Sequence, residues 1–281
     1  MVGILAFASC KKNEPTTGSE NGSTENGGTE GGETIENINE VTQYNILEGT
    51  IYETPVYIFK SNIPGPKVAI VGGIHGDEIA GWHTALNLVE RRNFQGEVMI
   101  IPQAHILADT LEHRYPGYRY DVINTKKHDG ITYSDLNRTF GLSKGTVTQQ
   151  IADAIAEAVE SFEPAYVIDL HESRRSASNK SEPLLGDLLI YGNAKTALFV
   201  DEIAYEFNQT CLKEGEVSFS TDTNPPVGSF CNYFGNKYPK AKVFTIETNR
   251  EYERGKDTAD LSRRIEQQTQ ILDIFFKTIW Q

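Results

Sequence analysis

The sequence is poor in cysteine and in positive charge, and each shortage excludes a class of protein. Three cysteines in 281 residues are too few for a small fold held together by disulfide bonds. The formal net charge is −13 and the pI is near 5.0, so no nucleic-acid partner is expected. An acidic chain also repels anionic substrates at long range, so such a substrate would need local arginines.

Long apolar runs and internal repeats are also missing from residues 41–281. No run there approaches the roughly 20 apolar residues of a membrane-spanning helix. Hydrophobic residues make up 38% and charged residues 23% of the chain, an ordinary globular balance. This length is enough for one large domain. Cys211 and Cys231 could pair in an oxidising compartment or stay as buried thiols, and the sequence leaves both open.

The first forty residues differ in composition from the rest. Residues 1–9 are apolar or small and end in Phe-Ala-Ser before Cys10, which resembles a secretory signal with a bacterial lipoprotein cleavage box. Residues 11–40 are mostly Gly, Ser, Thr, Asn and Glu, too polar to fold around a core. We expect a signal remnant at 1–9 and a lipidated Cys10 with a disordered tether at 10–40. The alternative is a frayed terminus with a chance cysteine.

The lipid anchor gives the first testable prediction. A lipid group on Cys10 would hold the domain at a membrane of the bacterial cell envelope, in the periplasm or on the surface. Cys10→Ser removes the acceptor thiol, so the protein should leave the membrane fraction of lysed cells, as measured by immunoblot. Equal membrane association of the variant and the original chain would contradict the anchor.

From residue 41 onward, patterns typical of strands and helices alternate. Strands are predicted at 56–59, 68–71, 98–101, 166–170, 188–191 and 243–246. Helices are predicted at 77–91, 146–162, 195–212 and 258–280, with long loops at 102–145 and 220–240. This alternation favours a mostly parallel sheet with helices on both faces. In such sheets, ligands bind beyond the carboxyl ends of the strands.

The segment Gly-Gly-Ile-His-Gly-Asp-Glu at 72–78 leaves a predicted buried strand and enters a helix. His75 and Glu78 are three residues apart at the helix start, so both can turn toward one point. An imidazole nitrogen and a carboxylate oxygen suit zinc. Taken alone, this spacing arises by chance, and a structural histidine at a helix cap is the simpler interpretation.

Two further predicted strands end in chemical groups. Asp169-Leu170-His171 ends one strand, and Glu247 directly follows another. Together with His75 and Glu78, His171 would give a three-ligand set for a catalytic zinc with a position open for water. Glu247 could accept a proton from water activated on the zinc, provided that partial burial raises its pKa. These strand ends together indicate a metal-dependent hydrolase.

A polar motif, Asp-Leu-Asn-Arg-Thr-Phe, occupies residues 135–140 in the long loop. Asn137 offers an amide and Arg138 a planar guanidinium, a pair suited to bind a substrate carboxylate in a bidentate manner. A turn-forming Asn beside a surface Arg is the alternative interpretation.

In this order, the motifs resemble the zinc carboxypeptidase superfamily, and within it the succinylglutamate desuccinylases and aspartoacylases. The matching segments are GGIHGDE at 72–78, DLNR at 135–138, DLH at 169–171 and IET at 246–248. The resemblance implies a carboxypeptidase-like α/β/α sandwich with a mostly parallel mixed sheet, and a single catalytic domain at 41–281.

The resemblance also implies a role for each motif residue. It implies one zinc per chain, with ligands His75, Glu78 and His171. It implies Glu247 as the general base, and Asn137 with Arg138 as the site for the substrate carboxylate. Asp135 would orient His75 from behind and fix its tautomer.

The chain departs from the family's pattern in places. The family uses a further arginine to polarise the scissile carbonyl, and Arg114 and Arg119 are both candidates. After His171 the chain reads Glu-Ser-Arg-Arg at 172–175, unlike the deacylases, so the substrate is left open. Gly-Ser at 228–229 followed by Asn-Tyr at 232–233 resembles the specificity loop of carboxypeptidases, which makes Tyr233 a binding candidate.

Other functions are weaker interpretations of the same sequence. Residues 141–145 fit the G-x-S-x-G nucleophile elbow around Ser143, but the elbow needs a buried strand before the serine, and a polar loop precedes it. His105, His113 and His128 are expected to be solvated or to line the cleft. An envelope-anchored binding protein of the same fold without catalysis would be free to lose Glu247, which this chain retains.

The predicted function is therefore a zinc-dependent hydrolase that cleaves an amide bond next to a carboxylate-bearing group. It would be a metallocarboxypeptidase, an amidase or an N-acyl amino acid deacylase. A lipid anchor favours action on cell-wall peptides, scavenged peptides or N-acyl amino acids over a cytosolic catabolic role. The expected partners are this small substrate and the membrane that the lipid on Cys10 enters.

Overall fold

The structure is a computed structural model that describes residues 37–116, 126–143, 146–174, 187–253 and 256–280. Cys10, the predicted signal remnant and most of the predicted tether lie outside these ranges, as does Arg119. The strands within them are β1 (Ile38–Ile46), β2 (Thr54–Ser61), β3 (Lys67–Gly72), β4 (Glu97–Ile101), β5 (Lys126–His128), β6 (Ile131–Tyr133), β7 (Tyr166–Ser173), β8 (Leu188–Tyr191), β9 (Ser220–Asp222), β10 (Lys242–Asn249), β11 (Tyr252–Glu253) and β12 (Lys256–Asp257). The helices are α1 (Ile79–Val89), α2 (Ile106–Leu111), α3 (Val147–Phe162), α4 (Ala197–Thr210), α5 (Phe230–Lys237) and α6 (Leu261–Ile279), with a 3-10 turn at Leu136–Arg138.

Within the described ranges, one mixed sheet of eight strands runs in the order β1-β2-β4-β3-β7-β10-β8-β9. The central strands β4, β3, β7 and β10 are parallel to one another. β2 and β8 join this centre antiparallel. At the edges, β1 pairs antiparallel with β2, and β9 pairs parallel with β8. This arrangement confirms the predicted α/β class with a mostly parallel, mixed sheet.

Helices cover both faces of the sheet, because strand side chains alternate between the faces. On one face, Val167 and Val243 belong to a core that includes residues of α3 and α5. On the other face, Ile168 and Phe244 belong to a core that includes residues of α4 and α6, where α1 also packs. The result is the α/β/α sandwich that the resemblance implies.

Several elements differ from the sequence prediction. β7 and β10 each extend three residues beyond the predicted ends, through Ser173 and Asn249. The predicted strands stop where polar residues begin. In the fold, these polar residues are buried and pair with the neighbouring strand, so the backbone continues in the sheet. The predicted loop 102–145 contains α2, β5, β6 and the 3-10 turn, and the predicted loop 220–240 contains α5. α1 begins at Ile79 rather than at residue 77.

The first described strand begins inside the predicted tether. β1 starts at Ile38, which packs against the core on the face that α1, α4 and α6 cover, although most of the strand is exposed. Among the described helices, none has both the length and the apolar character to cross a bilayer. Cys231 is a free, buried thiol, so Cys211 and Cys231 do not form a disulfide with each other.

Candidate metal centre

Two glycines shape the loop between β3 and α1 that carries the first motif. Gly73 has a φ of +76°, a left-handed conformation that glycine adopts without strain. A Cβ on Gly76 would lie 2.0 Å from the carbonyl oxygen of Ala108 in α2. Only glycine therefore lets the loop pass this helix, and the resulting turn brings His75 and Glu78 to the carboxyl end of β7.

His75, Glu78 and His171 form a buried cluster. Nδ1 of His75 lies 2.8 Å from Oε1 of Glu78, and Nδ1 of His171 lies 2.5 Å from Oε2 of the same carboxylate. One ligand atom from each side chain lies within 4.8 Å of the others, and none of the residues is more than 4% exposed. Two imidazoles and one carboxylate around a point form a donor set typical of catalytic zinc.

The second ring nitrogen of each histidine faces another carboxylate. Nε2 of His75 lies 2.9 Å from Oδ1 of Asp135, and Nε2 of His171 lies 2.9 Å from Oδ2 of Asp169. For His75, the carboxylate favours a proton on Nε2 and leaves the Nδ1 lone pair for a metal. Nε2 of His171 also lies 3.3 Å from Nδ2 of Asn137. The orientation of both rings therefore fits a zinc ion held by the three side chains.

The charges around the cluster also favour a bound cation. Burial alone would lower the pKa of His171, but Asp169 and Glu78 raise this pKa well above its ordinary value. Burial would raise the pKa of Glu78, but His75 and His171 hold it well below its usual range. These opposing shifts mean that the buried carboxylates stabilise a positive charge within the cluster. A proton or a metal cation can carry that charge.

Strand register brings Glu247 to the cluster. β7 and β10 are parallel neighbours, and Glu247 pairs with His171 in the sheet. Alternation along the two strands places Asp169, His171 and Glu247 on the face covered by α3 and α5. Burial raises the pKa of the Glu247 carboxyl to about 8, although His171 opposes this shift. A cation at the cluster would lower this pKa again, which suits a proton acceptor near neutral pH.

A cavity of about 330 Å³ opens beside the cluster. The predicted site residues that line it are His75, Glu78, Arg114, Asn137, Arg138, His171 and Glu247. Ile190, Pro225, Pro226 and Cys231 contribute an apolar part of the wall. The cavity thus joins metal ligands, a buried acid and guanidinium groups to a neutral surface that can hold a side chain or an aliphatic segment.

The 3-10 turn fixes Asn137 and Arg138 at the cavity. Asp135 caps this turn, since its side chain accepts a hydrogen bond of 2.9 Å from the backbone N–H of Asn137. Oδ1 of Asn137 accepts a bond of 2.9 Å from the N–H of Phe230 at the start of α5. The Arg138 guanidinium donates to the carbonyl of Asn137 at 2.6 Å. Asp135 therefore contacts both His75 and the turn with the proposed substrate-binding pair.

Arg114 and Arg119 were the candidates for polarising the scissile carbonyl. Arg114 lies within the described residues and lines the cavity. Its Nε donates to Asp135 at 3.1 Å, and its terminal nitrogen donates to Glu78, also at 3.1 Å. Burial would lower the pKa of Arg114, but Asp135 and Glu78 raise it. Arg114 is thus a fixed, permanently charged group at the cavity wall.

Other residues singled out in the sequence lie away from the cavity. Tyr233 is on the part of α5 that faces α3, where its hydroxyl donates to Glu160 at 2.7 Å, so the structure does not place this binding candidate in the cavity. Ser143 is exposed in a loop that follows a turn, so the nucleophile-elbow alternative is wrong. His105 is neither solvated nor in the cleft, because it is buried against Tyr52 and Tyr133.

Asp169 and Glu172 contact residues of the cluster but were not predicted as site residues. Asp169 faces His171 from two residues earlier on the same strand, and this spacing in a period-two pattern was a usable signal. Glu172 points to the other face, where its Oε2 accepts a bond of 2.9 Å from the N–H of Ala80 in α1 and its Oε1 pairs with Arg264 of α6. No local pattern indicates these contacts, because they join distant segments.

Comparisons with known proteins agree with the resemblance that the sequence motifs carry. The family model described as the succinylglutamate desuccinylase/aspartoacylase catalytic domain matches residues 64–184. The match covers less than half of the chain and agrees with the branch that the sequence motifs resemble. No curated protein is similar enough in sequence to be matched to the chain.

Solved structures show the same fold at low sequence identity. The tripeptide-bound cell shape determinant Csd4 from Helicobacter pylori has a TM-score of 0.62 and 16% identity, over 85% of this chain and 55% of its own. Csd4 is described as a D,L-carboxypeptidase. A succinylglutamate desuccinylase from Silicibacter sp. TM1040 has a TM-score of 0.55 and 17% identity, over 81% of this chain and 60% of its own. The product-bound ectoine utilization protein EutE (DoeB) from Ruegeria pomeroyi has a TM-score of 0.55 and 18% identity, over 81% and 61%. The chain therefore spans little more than half the length of these structures.

Proposed function

We propose that the protein is a zinc-dependent hydrolase that cleaves an amide bond next to a carboxylate-bearing group. The observation that carries this proposal is the convergence of both histidine Nδ1 atoms on the Glu78 carboxylate, inside a cavity that also holds Glu247 and Arg138. Related folds that act on succinylglutamate, or that are described as a D,L-carboxypeptidase, support a peptide or an acyl amino acid as the substrate.

Each residue has a separate task in the proposed reaction. His75, Glu78 and His171 would hold the zinc. When bound, the zinc would supply a positive charge that polarises the scissile carbonyl and makes attacking water more acidic. Glu247 lies beside His171 and accepts the proton of the attacking water on a carboxylate oxygen, then delivers a proton to the departing amine.

The guanidinium groups orient the substrate. Asn137 and Arg138 bind the carboxylate next to the scissile bond, because an amide and a planar guanidinium together match its oxygens. Arg114, tied to Asp135 and Glu78, presents a fixed positive charge that stabilises the oxygen of the carbonyl under attack. This preorganised arrangement lowers the barrier without any rearrangement of the protein at the moment of reaction.

Arg138→Ala provides the experiment that tests this assignment. The zinc-loaded protein is assayed with short peptides and N-acyl amino acids, each as the free acid and as the matched amide. We expect the original protein to hydrolyse at least one free acid and to prefer it over its amide. Arg138→Ala should reduce kcat/KM for that acid on the order of 10–100-fold, the loss expected when charge-assisted hydrogen bonds are removed. The kcat/KM for the matched amide should change little.

The comparison separates substrate binding from folding. Lys195→Ala removes an exposed positive charge at a distance from the cavity and serves as the control. If Arg138→Ala reduces hydrolysis of the acid and the amide equally, Arg138 has a structural role. If the zinc-loaded protein hydrolyses no member of the panel and only binds it, the alternative of a binding protein with this fold is favoured.

A further inference from the structure

Helix α6 carries two buried polar side chains to which the proposed reaction gives no task. Arg264 and Gln268 are no more than 4% exposed, and their spacing of four residues places them on the same side of the helix. A buried guanidinium or amide lowers stability unless hydrogen-bond partners replace the water that it loses. The hydrogen bonds of these two side chains go to the ends of β7 and β10, beside the candidate metal cluster.

Gln268 holds two strands together at the level of the cluster. Its Nε2 donates to the carbonyl oxygen of His171 at 2.9 Å and to Oγ1 of Thr248 at 3.1 Å. β3 pairs with β7 as far as Leu170, so His171 is the first residue of β7 beyond the support of that strand. Thr248 directly follows Glu247 in β10. The amide therefore links the backbone of one proposed ligand to the strand that carries the proposed base.

Arg264 acts on the other side of the same strand end, through Glu172. Its guanidinium donates to Oε1 of Glu172, and Oε2 of that carboxylate accepts a bond of 2.9 Å from the N–H of Ala80 in the first turn of α1. The backbone N–H of Glu172 donates to Oε2 of Glu78 at 2.9 Å, and Glu78 is the residue at which α1 begins. Arg264 thus fixes a residue that contacts both a proposed ligand and the helix that follows it.

Packing alone does not account for these contacts. Ile271 and Phe275 of α6 are fully buried in the core, so this helix already packs through apolar side chains. A buried ion pair commonly stabilises a fold no better than apolar residues of similar volume do. A catalytic metal site, in contrast, requires its ligands to be held to within about 0.5 Å. Hydrogen bonds in a buried polar network specify such a geometry, because they are directional.

We propose that Gln268 and Arg264 are positioning residues for the metal ligands. Gln268 holds the backbone at His171, and Arg264 holds Glu172, which in turn contacts Glu78. This inference rests on the proposed metal site and extends it to α6, which lies outside residues 64–184 that the family model matches. Neither side chain touches the metal or the substrate in this scheme.

Gln268→Met tests the first contact, with Gln270→Met as the matched control. Gln270 is also buried on α6, but its two side-chain hydrogen bonds go to Glu266 and Arg263 of the same helix. The zinc dissociation constant, measured by competition with a chelator, should rise about 10-fold in Gln268→Met, the lower end of the effect of losing a group that orients a ligand. Gln270→Met should bind zinc like the original protein. The visible absorption of the cobalt-substituted protein, which reports the geometry of the ligands, should change only in Gln268→Met.

Arg264→Met and Arg264→Lys test the second contact. Arg264→Met leaves Glu172 buried without its partner and should weaken zinc binding at least about 10-fold, whereas the ammonium of Arg264→Lys should recover part of this loss. Arg263→Met is the control, because Arg263 pairs instead with Glu216, away from β7. Unfolding temperatures of the metal-free proteins show which variants fold. If Arg264→Met does not fold, the comparison of Arg264→Lys with Arg263→Met decides the point.

The outcomes separate this inference from the proposed function. If Gln268→Met keeps the zinc affinity and the cobalt spectrum of the original protein, the inference is wrong and the zinc-dependent function stands. If Gln268→Met and Gln270→Met weaken zinc binding equally, the loss comes from the stability of α6, and the inference is again wrong. If only Gln268→Met weakens zinc binding in a protein that hydrolyses no substrate, the inference stands and the hydrolase function fails. Absence of zinc binding by the original protein would overturn both.

Discussion

Glu247→Gln should abolish turnover while the protein keeps its zinc. The substitution preserves the shape of a buried side chain but removes the oxygen that accepts a proton, and loss of a general base typically lowers the rate by ~10²–10⁴-fold. Glu247 is beside His171 in the sheet without being one of the three clustered ligands, so metal affinity should change little. Steady-state kcat and zinc content, measured on the same preparation, test both halves of the prediction.

The controls distinguish a base from a residue that only supports the fold. Glu157→Gln removes a carboxylate from the exposed side of α3 and should leave kcat and zinc content unchanged. Unfolding temperatures of the three proteins show whether either substitution weakens the domain. Normal turnover by Glu247→Gln would place the base elsewhere, and loss of zinc together with turnover would make Glu247 part of the metal site.

His171→Ala should remove nearly all the zinc. Three protein ligands hold a catalytic zinc, and His171→Ala removes the imidazole whose Nδ1 faces Glu78 at 2.5 Å. We expect the original protein to contain about one zinc per chain after purification, and His75→Ala to lose it as His171→Ala does. Elemental analysis after dialysis against a weak chelator gives the zinc content, and activity should fall with it.

Asp169→Asn offers a milder variant of the same test. Asp169 faces Nε2 of His171, and loss of such a supporting carboxylate commonly weakens metal binding by ~10–100-fold. His83→Ala is the control, because this histidine stacks on Trp82 on α1 and does not belong to the cluster. Full zinc retention by both His75→Ala and His171→Ala would place the metal site elsewhere in the protein.

Periodicity and local chemistry were enough to predict most of the central sheet. Buried parallel strands appear as continuous apolar runs, which located β3 and β4 to within a residue or so. The same rule failed at β7 and β10, because their last three residues are polar. A strand continues through polar residues when the fold supplies partners, and the partners of Glu172 come from α1 and α6, far away in sequence.

The sequence alone also identified the residues of the candidate metal cluster. His75 and Glu78 share a turn, and His171 and Glu247 follow apolar runs, so each lies where an open α/β sheet places its ligands. These positions depend on local turns and on strand ends, which a sequence pattern records. Tyr233 depended on a loose loop resemblance, and the helix α5 directs its hydroxyl to Glu160 instead.

Only the tertiary structure decided how the charges are distributed around the cluster. Asp135 and Asp169 reach the outer nitrogens of the two histidines, and Arg138 and Arg174 are held near different helical layers. The spacing of residues along the chain gives the type and order of these groups. Their distances depend on which strands are neighbours and on which face each side chain occupies, and those are set by packing across the whole domain.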